Sequence, residues 1–461
     1  MLAFRHDSRL DRRMFLSLGM PLISGIASGD TGNIRETRRT KSVLVVFCGG
    51  GQSQLEMWDP KPNAPIEIRG AFSSIQTRVN GLRFGEHIPR IASIADKFTV
   101  LKSVSHDDLD HGSACYLSLT GHFHPQKSSN PPPKPDDPPT LASIFRRLRP
   151  KGPFGFSSAH VNGPLLVPEL NSPGQNSGYL GRAYDPLAVD GTDPEKSLPA
   201  LNPRDELPTV RIQERQSLKD ALEKEQRRWE AMPGLLDHDL RYTQAYQILS
   251  DPRARNAFDL SRERDSIRDR YGRNRSGQAC LLARRLVEIG MPWVTVFWNP
   301  NIRGQDSSPN ETDQYGWDTH NDIFEAMKDH LLPRFDQSFS ALLEDMDSRG
   351  LLESTLVVCM GEFGRAPLVA LEPRFAGVTP GRKHWAATYS VVFAGSGVNR
   401  GGVVGSTDRA AAYPVQDRVT PQDIAATLFD ALGIPTNEHY HDLLNRPVAV
   451  TTGKPIKKLF V

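Results

Sequence analysis

Five short apolar runs leave this chain little choice of fold class. Val43–Phe47, Phe98–Leu101, Trp293–Trp298, Leu356–Met360 and Tyr389–Ala394 are rich in β-branched residues and bounded by turn residues. Each is continuous rather than alternating, which predicts a strand covered on both faces, as in parallel sheets. Helical patterns separate most of them. Between His87 and Lys97, Ile88, Ile91 and Ile94 fall at helical spacing. The stretch from Gln278 to Ile289 stops at Gly290 with Pro292 just beyond, and Thr420-Pro421-Gln422-Asp423 opens a helix that closes near Gly433. The expected architecture is α/β, a doubly wound and mostly parallel sheet. A chain of 461 residues, 38% hydrophobic and 24% charged, has globular composition and the length for one large domain.

Three stretches depart from the pattern. Residues 1–30 carry Arg12-Arg13-Met14-Phe15-Leu16, then a short apolar stretch to Ile26 and the small residues Ala27, Ser28 and Gly29. That stretch is too short to span a bilayer, which takes about 20 residues. It reads as a twin-arginine export signal, a receptor-read address that directs the chain to the periplasm or the exterior. Its competitor is a plain basic tail. Residues 122–139, with Asn130-Pro131-Pro132-Pro133-Lys134-Pro135, read as an extended loop, and the highly charged residues 213–271 as a helical insertion over the sheet. The main domain is expected over residues 42–450, with no transmembrane segment in the mature chain.

Net charge is +2, without a sustained basic stripe, so nucleic acid is not an expected partner. Cys48, Cys115, Cys280 and Cys359 lack metal-type spacing, and nothing selects a disulfide pairing among them.

Chemistry-bearing residues gather where the predicted strands end. Glu362, between Gly361 and Phe363-Gly364, directly follows the run ending at Met360; Asp318 and His320 lie in Gly316-Trp317-Asp318-Thr319-His320, and His384 follows Gly381-Arg382-Lys383. Carboxylates and imidazoles on separate loops at strand ends can share one divalent metal, Zn, Mn or Ca. The bland accounts are helix capping by Asp318, a Glu362–Arg365 surface pair, and an unengaged loop histidine at position 384. Arg365 is a candidate clamp for an anionic substrate. Upstream, Ser105-His106-Asp107-Asp108-Leu109-Asp110-His111-Gly112-Ser113 precedes an apolar helix ending at Leu119-Thr120-Gly121. His106, His111 and Ser113 there are candidates for base and nucleophile. The first strand runs into Gly49-Gly50-Gly51-Gln52-Ser53-Gln54, a turn whose amides can approach a ligand, with Ser53 and Gln54 as candidate substrate contacts; no Walker Lys follows.

Taken together, these segments resemble the domain-of-unknown-function 1501 family, exported proteins related to sulfatases in the alkaline-phosphatase-like superfamily. The twin-arginine start, Gly50-Gly51-Gln52-Ser53-Gln54 with Trp58-Asp59-Pro60-Lys61-Pro62, His106 with His111-Gly112, Trp317-Asp318-Thr319-His320, Gly361-Glu362-Phe363-Gly364-Arg365 and Gly381-Arg382-Lys383-His384-Trp385 carry the resemblance over nearly the whole chain. It implies an alkaline phosphatase/sulfatase-like sheet, a divalent metal, and hydrolysis of sulfate or phosphate esters on a small molecule or polysaccharide. It also marks departures. The nucleophile position falls on His111, glycines stand where a metal-binding Asp is expected after the first strand, and Phe363 replaces a His or Asn. The implied site is therefore reduced, with Asp318, His320, Glu362 and His384 as metal ligands, His106 or His111 as candidate additions to them, and His111 as base or unusual nucleophile. Two functions stay open: a secreted metal-dependent hydrolase, or a non-catalytic relative that binds carbohydrate or a protein partner.

Overall fold

A computed structural model describes residues 40–190, 251–304, 315–442 and 444–460. The export-signal reading of residues 1–30 and most of the charged segment, residues 213–250, lie outside them. The framework is an eight-stranded sheet of β1 (Ser42–Phe47), β2 (Phe98–Val104), β3 (Ser158–Val161), β4 (Leu187–Val189), β5 (Trp293–Phe297), β6 (Thr355–Met360), β7 (Tyr389–Ala394) and β8 (Val403–Val404), in the order β8-β2-β7-β6-β1-β5-β3-β4. Only β7 runs against the rest. β1 lies at the centre, with Val45 opposite Val358 on one side and Thr295 on the other.

Every residue of β1, β5, β6 and β7 is buried, which is why these runs read as continuous rather than alternating. Their side chains divide between two cores by strand alternation. On one face Leu44 and Val46 join Leu281, Leu282 and Leu286 of α3 (Arg275–Glu288) and Phe335, Phe339 and Leu342 of α4 (Leu332–Ser348). On the other, Val43, Val45 and Phe47 meet Cys115 and Leu119 of α1 (His111–Thr120), Ile144 and Phe145 of α2 (Leu141–Leu148), and Ile424 and Leu428 of α5 (Pro421–Ala431). The sheet is thus covered by helices on both sides, as a doubly wound architecture requires.

Local signals account for the helix ends. Thr420 and Asp423 form a reciprocal capping box at α5. Asn274 caps α3, and Gly121, with φ of 73°, closes α1 in the left-handed region. The helix expected over His87–Lys97 is broken: an α segment ends at Ser93, and Ala95–Lys97 tightens into a 3₁₀ turn. Strands β3, β4 and β8 are two to four residues long, too short for a periodic pattern to announce them. Of the charged segment, the described part holds helices Pro252–Phe258 and Asp265–Tyr271. Here fully buried Arg284 pairs with Glu263, Glu288 and Asp345. All four cysteines are buried and free, with the Cys48 and Cys359 sulfurs 3.9 Å apart. Among the described residues no helix is long and apolar enough to cross a membrane.

The aromatic hub under the site is Phe335, whose ring meets Trp58, Trp298, Trp317 and Phe339 at centroid distances of 5.2–6.1 Å. Phe335→Ala is expected to destabilise the fold by about 3–5 kcal/mol, against no more than about 0.5 kcal/mol for Val415→Ala on the surface. Urea titration of both variants checks this, and equal midpoints would count against the hub.

Candidate metal centre

Parallel strands deliver their C-terminal ends to one edge of the sheet. The turn after β1, the segment Ser105–Asp110 after β2, the chain beyond β5 that leads to Asp318, and Gly361-Glu362 after β6 all start there. β7 is antiparallel, so the residues just before it, including His384, arrive at the same edge. Two-residue pairing of Gly364 with Trp385 and Arg365 with His384 ties the last two segments together.

Four side chains converge at this edge: one ligand atom from each of His111, Asp318, His320 and His384, all within 4.8 Å of one another. Asp318 Oδ1 lies 3.1 Å from His111 Nε2, 3.2 Å from His320 Nε2 and 3.3 Å from His384 Nε2. The His320 and His384 Nε2 atoms are 2.9 Å apart. Tetrahedral donors about 2.0–2.1 Å from one cation would be roughly 3.3–3.4 Å from each other, close to the observed edges. Two imidazoles are oriented from behind. His384 Nδ1 donates to the Leu109 carbonyl at 2.6 Å, and His111 Nδ1 donates to Glu362 Oε1 at 2.6 Å. Each Nε2 lone pair is thereby turned to the centre, in the carboxylate– or carbonyl–histidine arrangement that supports metal ligands. His111 Nε2 has no aligned hydrogen bond of its own. The residues present fit a divalent cation.

Burial and neighbouring charges act in opposite directions on the titratable groups of the cluster. Burial would depress the His111 imidazole, yet Asp318 and Glu362 outweigh it and push its pKa up to about 9. Burial, with His111 adding to it, pushes His384 down to about 3; burial also lowers His320. Despite its own burial, Asp318 is held well below the usual carboxylate range by His111 and Arg365.

Residues expected on sequence grounds meet here in altered places. Asp318, His320 and His384 supply atoms to the cluster, and Asp318 caps no helix: the next one, starting at Ile323, has Asp322 at its N-cap. His111, expected as base or nucleophile, occupies the fourth ligand position. Glu362, expected as a ligand, sits behind it, fully buried, with Oε1 also accepting from the Gly50 amide at 2.7 Å. Glu362 and Arg365 form no surface pair, since both are fully buried. His106 is spent: its Nε2 donates to the Glu362 carbonyl at 2.7 Å while Nδ1 accepts from the Asp108 amide. Ser113 donates its hydroxyl to Asp108 at 2.6 Å and is buried.

The three residues expected as substrate contacts have partners inside the protein. Arg365 is fully buried, and its guanidinium donates to the carbonyls of Gly50, Gly51, Trp317 and Arg382 and to Asp318 Oδ1. Gln54 brackets the Arg365 backbone, accepting from its amide and donating to its carbonyl, and Ser53 donates to Glu56. Glu56 in turn pairs with buried Arg382, which steadies the His384 loop. All three side chains are buried and hydrogen-bonded within the protein. Glycine is required at position 50, where φ is 112° and a Cβ would come within 2.5 Å of the Asp318 amide. Sequence reasoning did not find Leu109, whose contribution is a backbone carbonyl, nor Phe375, whose ring stacks on His320 at 3.7 Å.

The sequence matches, over residues 40–460, the family described as "Protein of unknown function (DUF1501)". The chain belongs to that family. No curated protein matches it. Among solved structures it is similar to the phosphonate monoester hydrolase SpPMH from Silicibacter pomeroyi, at 11% identity over 92% of this chain and 76% of that one, with a TM-score of 0.39. It is also similar to a putative sulfatase from Bacteroides thetaiotaomicron (12% identity, 91% and 74% coverage, TM-score 0.40) and to the PsFucS1 sulfatase from Pseudoalteromonas sp. (12% identity, 87% and 69% coverage, TM-score 0.38). These are distant likenesses, and the site stands on its own geometry.

If Glu362 orients His111 rather than ligating, Glu362→Gln should weaken zinc binding by about 10–100-fold while keeping a site. Competition titration against a chromogenic chelator reads this directly. Unchanged affinity would show that His111 needs no orienting carboxylate.

Proposed function

We propose that this chain is an exported, divalent-metal-dependent hydrolase of sulfate or phosphate esters, carbohydrate-linked esters among them. The observation that carries the reading is the convergence of three imidazole nitrogens and one carboxylate oxygen, two of the imidazoles anchored from behind. A divalent cation at that point supplies Lewis-acid polarisation of an ester oxygen and acidifies water. An imidazole-rich donor set suits Zn or Mn better than Ca, which takes six to eight oxygens.

The chain's own groups define how such a site works. His111 and His320 are deeply buried, whereas the side chains of Asp318 and His384 are 16% and 17% exposed, so the cluster has one side open to an anionic ester. Among the described residues no side-chain nucleophile faces it. Ser113 is engaged with Asp108, and the thiol of Cys115 is kept protonated by burial and by the nearby charge of Glu362. Direct attack by water, rather than a covalent enzyme intermediate, is the chemistry this leaves. Four protein donors are also the make-up of a closed, structural metal site. That fact supports the second reading, a non-catalytic binder, and the open side at Asp318 and His384 favours the first.

Metal analysis of the purified full chain, with a screen of 4-nitrophenyl sulfate, 4-nitrophenyl phosphate, a phosphonate monoester and sulfated oligosaccharides, separates them. Turnover stimulated by Zn or Mn is expected, with a loss of about 100-fold or more in Asp318→Ala and in His384→Ala. A metal-loaded protein silent on every ester would leave the binding reading in place. For export, replacing Arg12 and Arg13 together by Lys is expected to retain a reporter fused to residues 1–30 in the cytoplasm; undiminished secretion would refute the twin-arginine route.

A further inference from the structure

One part of the rim has no role in the chemistry just described. The loop of residues 366–383 arches beside the cluster and exposes Leu368, Leu371, Phe375 and Val378. Its course is fixed by the two residues that follow His320. Asn321 Nδ2 donates to the carbonyls of Glu372, Phe375 and Ala376 at 2.9–3.2 Å, and its Oδ1 accepts from the Glu372 amide at 2.8 Å. Asp322 Oδ1 accepts from the amides of Val378 and Thr379 at 2.9 and 2.6 Å. Gly377, with φ of 107°, permits the approach, since a Cβ there would come within 2.6 Å of Asn321 Cβ.

This clasp sets the Phe375 ring flat against the His320 imidazole, with centroids 3.7 Å apart and planes 3° from parallel. Only one ring face is used. The residue remains 41% exposed, although the backbone on either side of it is tied down by Asn321 and Asp322. Propping His320 accounts for the covered face and not for the open one. Any aliphatic side chain would serve as a prop, and a large aromatic ring left facing water beside a candidate metal centre costs hydration free energy.

Resting on the reading of the cluster as an anionic-ester centre, the geometry points to Phe375 as the residue that selects the alcohol part of the substrate. Its open face takes a flat, apolar ring, either an aryl group or the C–H face of a pyranose, attached to the ester whose anionic end enters the cluster. Ring-on-ring contact of this kind changes affinity by about two- to tenfold beyond simple burial.

The test is calorimetric binding to the zinc-loaded full chain, with methylphosphonate, phenylphosphonate and a glucosyl methylphosphonate as probes. Wild type should favour a ring-bearing probe over methylphosphonate by about tenfold, and which ring wins distinguishes aryl from sugar esters. Phe375→Leu, which keeps an apolar prop on His320, should lose that preference; Phe375→Tyr should retain it. Zinc content is measured for each variant first. Absence of any ring preference in wild type overturns the inference without reference to the variants. So does equal weakening of all three probes in Phe375→Leu, which would reduce Phe375 to a prop. If zinc-loaded wild type binds none of the three, the anionic-ester reading itself fails and takes this inference with it.

Discussion

One buried guanidinium holds the candidate site together. Arg365 reaches the carbonyls of Gly50 and Gly51 after the first strand, that of Trp317 and the carboxylate of Asp318, and the carbonyl of Arg382 just before His384. Those segments are far apart in sequence and each carries or abuts a cluster residue. An unpaired charge at zero exposure would be prohibitive, but five oxygens and one formal negative charge surround this one. The arrangement also bears on Asp318, which His111 and Arg365 hold below the usual carboxylate range although burial acts to raise it. Cluster geometry and cluster charge therefore rest on the same side chain.

The second organising fact is the pairing of His111 with Glu362. Helix α1 begins at His111, and its first residue points across the strand ends to Asp318. Glu362 follows β6 at the bottom of the same edge, where no solvent reaches it, and accepts from both His111 and the Gly50 amide. A carboxylate so placed fixes the imidazole from behind. The glycine turn that lacks a carboxylate contributes an amide to Glu362 and carbonyls to Arg365, so it frames the centre without adding a ligand.

Much of this was legible in the chain, and the limits have physical causes. Continuous β-branched runs such as Leu356–Met360 signal strands because burial on both faces removes the need for polar alternation. Short strands such as Ser158–Val161 and the edge strand Leu187–Val189 depend on neighbours for their conformation and leave no such mark. Asp318, His320 and His384 stood out because carboxylates and imidazoles in loops at strand ends are the donor types a divalent metal takes. Arg365, Gln54 and Ser53 have the same polar character but point inward. Residue type alone does not distinguish a buried guanidinium bonded to carbonyls from an exposed one awaiting an anion.

The α/β class, the central strands, several helix ends and the residues of metal-type chemistry were readable from the chain, since these follow from local periodicity, capping and side-chain type. Which atoms meet is a matter of tertiary packing. That packing made His111 a neighbour of Asp318, placed Glu362 behind it, gave Arg365, Gln54 and Ser53 partners inside the protein and laid Phe375 on His320. Those outcomes depend on distances between segments up to about three hundred residues apart, fixed by strand order and by buried hydrogen bonds that no local pattern encodes.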